Sequence, residues 1–200
     1  MTLATLILAT CIVWPSERIL LVGDSLAVGL RPHLARALQA RGTGAFRSIA
    51  EGGTNIYQWS TSAEPQGRRL AKALATFHPT LVIISLGTND EAARTPGLLR
   101  PYGPAFDVAR QRTPHAEALR DRLRDVCSVW LGPPAALLWS TDRPFRHMLS
   151  ALWGENFLDS ELIDPERAPD HIHLTASGNE AWTSALLALL EGHHPVEVSK

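Results

Sequence analysis

Four short stretches carry side chains able to act together on a substrate. Gly23-Asp24-Ser25-Leu26 offers a hydroxyl, Gly52-Gly53-Thr54 a glycine turn, Gly87-Thr88-Asn89-Asp90 an amide, and Asp170-His171-Ile172-His173 a carboxylate three residues ahead of an imidazole. A serine hydroxyl is a weak nucleophile at neutral pH; it needs a base within hydrogen-bond reach, and that base must be oriented by a third group. Ser25, His173 and Asp170 are residue types that meet this need if their loops converge. The spacing of Asp170 and His173 lets the carboxylate fold back onto Nδ1 and leaves Nε2 for Ser25. Attack on an ester would build negative charge on the carbonyl oxygen, which calls for donors aimed at that point. Glycine lets backbone amides come close to such a centre because no Cβ stands in the way.

These stretches need a scaffold that brings distant loops to one place. The apolar pattern alternates between short β-type runs and longer helical ones, which predicts a parallel sheet flanked by helices. Arg18–Val22 reads as a buried first strand, Ala45–Ala50 as a second, Thr80–Leu86 as a central third and Val126–Leu131 as a fourth. A short fifth falls at Asn156–Asp159. Leu30, Leu34, Ala35 and Leu38 recur at helical spacing opposite Arg31, Arg36 and Gln39. Pro32 is best tolerated in a first helical turn, which puts Ser25 in the turn before that helix. Further helices are expected at Pro65–Phe77, about His115–Asp125, Pro144–Trp153 and Ala176–Glu191, the last capped by Thr175. The order predicts a three-layer α/β/α, doubly wound, flavodoxin-like sandwich with a mostly parallel five-stranded sheet. Ligands bind such folds beyond the carboxyl ends of the strands, where the four stretches fall.

With the elements in place, the chain resembles the SGNH/GDSL hydrolases. Gly23-Asp24-Ser25-Leu26, Gly87-Thr88-Asn89-Asp90 and Asp170-His171-Ile172-His173 are similar to that family's first, third and fifth blocks, in the family's order. Gly52-Gly53-Thr54 is similar to its second block, although the surrounding Ala50-Glu51 and Asn55 depart from the usual pattern. The resemblance implies Ser25 as nucleophile, His173 as base and Asp170 as its orienting acid. It also implies an oxyanion hole made of the backbone N–H of Ser25, the backbone N–H of Gly53, preferred here to Gly52, and the side-chain amide of Asn89. No cofactor and no metal belong to this scheme. The expected activity is cleavage of carboxylic esters through an acyl-serine intermediate, as a short-chain esterase or carbohydrate O-deacetylase acting on a small-molecule or glycan ester. A glycan-binding module without turnover and an acyltransferase are the alternatives.

Each stretch alone has an ordinary structural account: a strand-to-helix turn capped by Asp24 and Ser25, an Asx turn at Asn89 and Asp90, a solvated loop at 170–173. Their order along the chain, each beyond a predicted strand, is what points to a site. His171, His173 and Asp170 also offer metal-ligand types, but no further His, Asp or Glu cluster supplies the remaining ligands. Tyr57 and Trp59 follow the second block and suit either a sugar-stacking edge or the core. Trp130, Trp139, Trp153 and Trp182 fall on predicted elements and read as structural. Glu91–Pro104 and Ala135–Gly154 are long connections placed where substrate walls would stand.

Composition narrows the partners. With 200 residues, 45% of them hydrophobic and 20% charged, the sequence fits one core, expected over residues 18–200. A formal charge of −1 gives no long-range attraction for nucleic acid or anionic lipid. Residues 1–17 include the apolar run Leu3–Trp14, too short to span a bilayer and without a basic start or A-x-A site. The run suits an export or tethering segment, or an apolar element packed on the domain, so the compartment stays open between envelope and cytoplasm. Cys11 and Cys127 have no metal or disulfide-framework spacing and read as small buried hydrophobes. Nothing in the sequence sets an oligomeric state.

Overall fold

The computed structural model describes residues 16–92, 107–133, 143–160 and 163–192. Its centre is three strands in which every second side chain points to the opposite sheet face. In β1 (Arg18–Gly23), Ile19 and Leu21 enter one core and Leu20 and Val22 the other. In β3 (Leu81–Ser85), Leu81 and Ile83 oppose Val82 and Ile84; in β4 (Cys127–Leu131), Val129 and Leu131 oppose Trp130. Strands buried on both faces read as continuous apolar runs, which is why these were visible in the sequence. The edge strands β2 (Ala45–Ser48) and β5 (Phe157–Leu158) are shorter and less apolar.

The five strands lie in the order β2-β1-β3-β4-β5, and every pairing is parallel. One sheet face is covered by α1 (Ser25–Ala40) and α7 (Ala176–Gly192), with Leu30, Leu34, Trp182 and Leu186 at the contact. The other is covered by α2 (Ile56–Ser60), α3 (Pro65–Phe77), α5 (Val108–Arg122) and α6 (Arg143–Trp153), around Trp59, Leu70, Leu119 and Phe145. A short α4 (Thr88–Ala92) follows β3. This is the expected doubly wound sandwich, with a sheet that is wholly parallel. Among the described residues, no helix is long and apolar enough to cross a membrane.

Several local expectations are corrected. The first helix starts at Ser25 instead of near Pro32, and Pro32 lies inside it on the exposed face. There the carbonyl left without a partner can be hydrated, so tertiary packing of Leu26, Ala27 and Leu30 outweighs the proline. Pro114 is likewise exposed inside α5, which begins at Val108 with Asp107 accepting from the Arg110 amide at 3.0 Å. Cys127 is not a free thiol: it is disulfide-bonded, and the chain's other cysteine, Cys11, lies outside the described residues. Sequence spacing does not report through-space neighbours, so this bond was invisible to it. Residues 1–15, Trp139, most of the first predicted wall segment and residues 135–142 of the second also lie outside the described residues.

Candidate active site

The first stretch is shaped by a close approach. At Gly23 a Cβ would sit 2.3 Å from the Ser85 carbonyl oxygen and 2.4 Å from Ala27 Cβ, so only glycine lets β1 turn into α1 against β3. The Asp24 N–H then donates to Ser85 O at 3.1 Å, and Asp24 caps α1 by accepting from the Leu26 amide at 3.0 Å. Ser25 is thereby fixed as the first residue of a helix, half-buried at the carboxyl end of β1. The positive end of the helix dipole favours negative charge there.

The second and third stretches are tied to the first and to each other. Glu51 N–H donates to Gly23 O at 2.9 Å, which brings the glycine turn over Ser25. Thr54 is buried; its hydroxyl donates to Glu51 O at 2.8 Å and accepts from Trp59 Nε1 at 3.0 Å. Trp59 is therefore core, anchoring the turn, while Tyr57 stays exposed with its ring edge-on to His115 at 5.0 Å. Asn89 Nδ2 donates to the Thr54 carbonyl at 2.8 Å, and among the described residues its second hydrogen has no partner. The Ile56 N–H donates to Asp90 Oδ2 at 3.1 Å, a second bond between the same two turns.

Within the glycine turn the two residues differ in their surroundings. A Cβ on Gly52 would meet Ser25 Cβ at 3.8 Å; one on Gly53 would meet nothing within 4 Å. Gly53 has φ +75°, so it serves the turn's shape. Among the described residues, neither amide donates to a backbone carbonyl.

The fourth stretch forms its own unit. Asp170 Oδ2 meets His173 Nδ1 at 2.6 Å, and Oδ1 accepts the amides of Ile172 and His173, both at 2.9 Å. The His173 bond first, then the two amides, hold the Asp170 carboxyl down at about 2, so it is ionised. Nδ1 is then the donor and Nε2 is left as the acceptor. The loop is braced by Ala168 N–H to His173 O at 2.8 Å and by the Arg167 guanidinium to Ile172 O at 2.9 Å. Its next residue, Leu174, is buried in the core that also holds Leu26 and Ala27, and its carbonyl accepts from Asn179, whose side chain lies against Gly29 of α1. Among the described residues Ser25 Oγ makes no hydrogen bond, so the chain is closed from Asp170 to His173 and open from His173 to Ser25. Such bonds commonly tighten only when substrate is bound. Among the described residues, no three His, Cys, Asp or Glu side chains converge as metal ligands.

Two buried carboxyls were absent from the sequence-based site. Asp24 and Asp90, each fully buried, are the chain neighbours of Ser25 and Asn89. Burial, and for Asp24 also the charge of Asp90, pushes Asp24 up to about 7. Burial likewise pushes Asp90 up to about 6 against the pull of Arg112, whose Nε lies 2.6 Å from Oδ1. Their places beside Ser25 and Asn89 were the available signal.

Residues 18–148 match the model of a family described as protein of unknown function (DUF459). No curated protein matches the sequence. Among solved structures, the acetylxylan esterase Axe2 from Geobacillus stearothermophilus superposes with a TM-score of 0.65 at 18% identity, covering 88% of this chain and 94% of that one. The esterase EstA from Pseudoalteromonas sp. gives 0.63 at 15% identity, over 88% and 98% of the two chains. A protein from Slackia heliotrinireducens, provisionally described as an SGNH hydrolase, gives 0.64 at 16% identity, over 88% and 99%. At these identities the likeness is one of fold, and it is the fold that the sequence blocks implied.

Proposed function

We propose that this chain, which belongs to the family described as protein of unknown function (DUF459), is a serine hydrolase that cleaves carboxylic esters through an acyl-Ser25 intermediate. The observation that carries this reading is the ionised Asp170 bound to His173 Nδ1 at 2.6 Å, in a loop sharing its core with the start of α1, where Ser25 sits. Ser25 Oγ attacks the ester carbonyl as His173 Nε2 takes the hydroxyl proton. The tetrahedral oxyanion is held by the Ser25 N–H, the second hydrogen of Asn89 Nδ2 and an amide of the Gly52–Gly53 turn, where the methyl of an alanine at Gly52 would face Ser25. His173 returns the proton to the departing alkoxide, and water repeats the sequence in reverse to free the acid. An acceptor other than water would give acyl transfer through the same intermediate.

A short acyl group on a carbohydrate is the favoured substrate, in keeping with the acetylxylan esterase that shares the fold. Purified protein is expected to hydrolyse p-nitrophenyl acetate faster than long-chain esters and to be labelled at Ser25 by a fluorophosphonate. Ser25→Ala is expected to lower turnover by about 10⁴-fold or more. An undiminished rate in that variant would remove Ser25 as nucleophile. The open step between Ser25 and His173 favours one competing reading, a module that holds a glycan ester without turnover; glycan binding with no fluorophosphonate labelling would select it.

A further inference from the structure

Asp24 precedes the proposed nucleophile, yet the ester-cleaving steps above give it no part. Its carboxyl is wholly buried. Oδ1 accepts the Leu26 amide at 3.0 Å, the backbone and hydroxyl of Thr88 also act on the carboxyl, and Oδ2 has no partner of regular hydrogen-bond geometry among the described residues. These donors offset only part of the cost of burying an ionised carboxylate in a low-dielectric interior. The neighbours make matters worse. The Asp24 amide is bound to Ser85 O, so the side chain lies against the turn that carries Thr88 and Asp90. Asp90, from α4, is a second buried carboxyl acting on Asp24. Arg112, from α5, is the cation paired with that cluster, and its Nε contacts Asp90 Oδ1 at 2.6 Å. The remaining titratable group nearby on α5, His115, is held toward its neutral form by burial and by Arg112. Glu91, next along α4, is paired with Arg146. One guanidinium therefore faces two buried carboxyls, and it is committed to Asp90.

We propose that Asp24 works as a neutral carboxylic acid beneath the nucleophile, a positioning residue that caps α1 while keeping negative charge away from the oxyanion forming at Ser25. This rests on the esterase reading. Burial, reinforced by the charge of Asp90, places loss of this proton at about 7. Once ionised, Asp24 sets a like charge one residue from the developing oxyanion, opposing the donors that stabilise it. The acid works by staying protonated and transfers no proton in the reaction.

The test compares the pH profiles of kcat/KM for p-nitrophenyl acetate in the wild type and in Asp24→Asn, which keeps a capping oxygen for the Leu26 amide. The wild type is expected to lose activity on the alkaline side, and the variant to lose that limb. The ratio of kcat/KM at about pH 9 to that at about pH 6 should be on the order of tenfold larger in the variant. An alkaline limb unchanged by the substitution, or a wild type with no such limb, overturns the proposal. Infrared pH-difference spectra of the wild type, minus those of Asp24→Asn to remove the band of Asp90, supply a readout that needs no turnover. A protonated-carboxyl C=O band should persist above about pH 6, where exposed carboxyls are ionised, and vanish as pH rises past 7. Absence of the band also overturns the proposal. A wild type that hydrolyses no ester sinks the esterase reading, while the band still decides whether Asp24 holds its proton.

Discussion

Gly52 and Gly53 are adjacent and make different demands on the chain. Gly53 has φ +75° with open space around it, so alanine there would strain the backbone without a clash. Gly53→Ala is expected to cost about 1 kcal/mol of stability, measured by urea denaturation, and to leave the approach to Ser25 open. At Gly52 an added methyl would stand in ordinary contact with Ser25 Cβ, 3.8 Å away. Gly52→Ala should therefore fold normally yet lower kcat/KM for p-nitrophenyl acetate by about 10-fold or more, by occupying space beside the reacting carbonyl. The reverse pattern would exchange the roles of the two glycines. The sequence showed the pair, and resemblance alone led to Gly53; the direction in which each Cα faces is a dihedral fact that spacing does not encode. Ser25, Asn89, Asp170 and His173 could be proposed from the sequence because the chemistry expected of them is carried by side-chain type. Asp24 and Asp90 were readable as caps and turn residues, and their burial beside one another became visible only in three dimensions.

At the scale of elements, the loop from 163 to 175 and helix α7 behave as one carrier for Asp170 and His173. Thr175 caps α7 through the Gly178 amide at 3.1 Å and donates its hydroxyl to Glu166 at 2.9 Å, and Ser177 bonds the same carboxylate. Gly178 lies so close that a Cβ would stand 2.0 Å from the Glu166 carbonyl oxygen, which is backbone and cannot rotate aside. Gly178→Ala is expected to push the loop off the helix, lowering stability by about 1–3 kcal/mol and impairing turnover more than substrate binding. A thermal melt together with separate kcat and KM values would check this; an unaffected kcat would mean that the loop holds His173 without α7. The cap at Thr175 was legible as a helix start, and its tie to Glu166, nine residues earlier, was not. Helices α1 and α5 show the opposite limit. Pro32 and Pro114 read locally as helix boundaries, but each lies on an exposed face while Leu30, Leu34, Ala116 and Leu119 are buried. Burial of the inner face overrides a local propensity there.

Over the whole molecule, the two raised carboxyls give stability a definite dependence on pH. Asp24 and Asp90, pushed from an ordinary 3.8 to about 7 and about 6, bind protons in the folded state that the unfolded chain has released. Their contribution is full below about pH 4 and is lost as pH rises through about 6 and about 7. Asp170, held down at about 2, acts with the opposite sign and only in more acidic solution. The urea midpoint is thus expected to fall between about pH 5 and pH 8, with a shallower slope in Asp24→Asn; a midpoint that rises across this window would contradict the assignment. The sheet itself was legible nearly whole, since Ile19–Val22, Leu81–Ile84 and Val129–Leu131 are buried on both faces and declare themselves by composition alone. The disulfide at Cys127 was not, since pairing is a property of the folded path. That path places Ser25, the proposed nucleophile, just after the first strand and His173, its proposed base, just before the last helix, with the other four strands between them in the chain. Parallel pairings close late because each must first bring distant segments together. In refolding, recovery of ester hydrolysis is therefore expected to lag behind recovery of helix signal: the competent site is among the last parts of the chain to assemble, and partly folded molecules are hydrolytically silent.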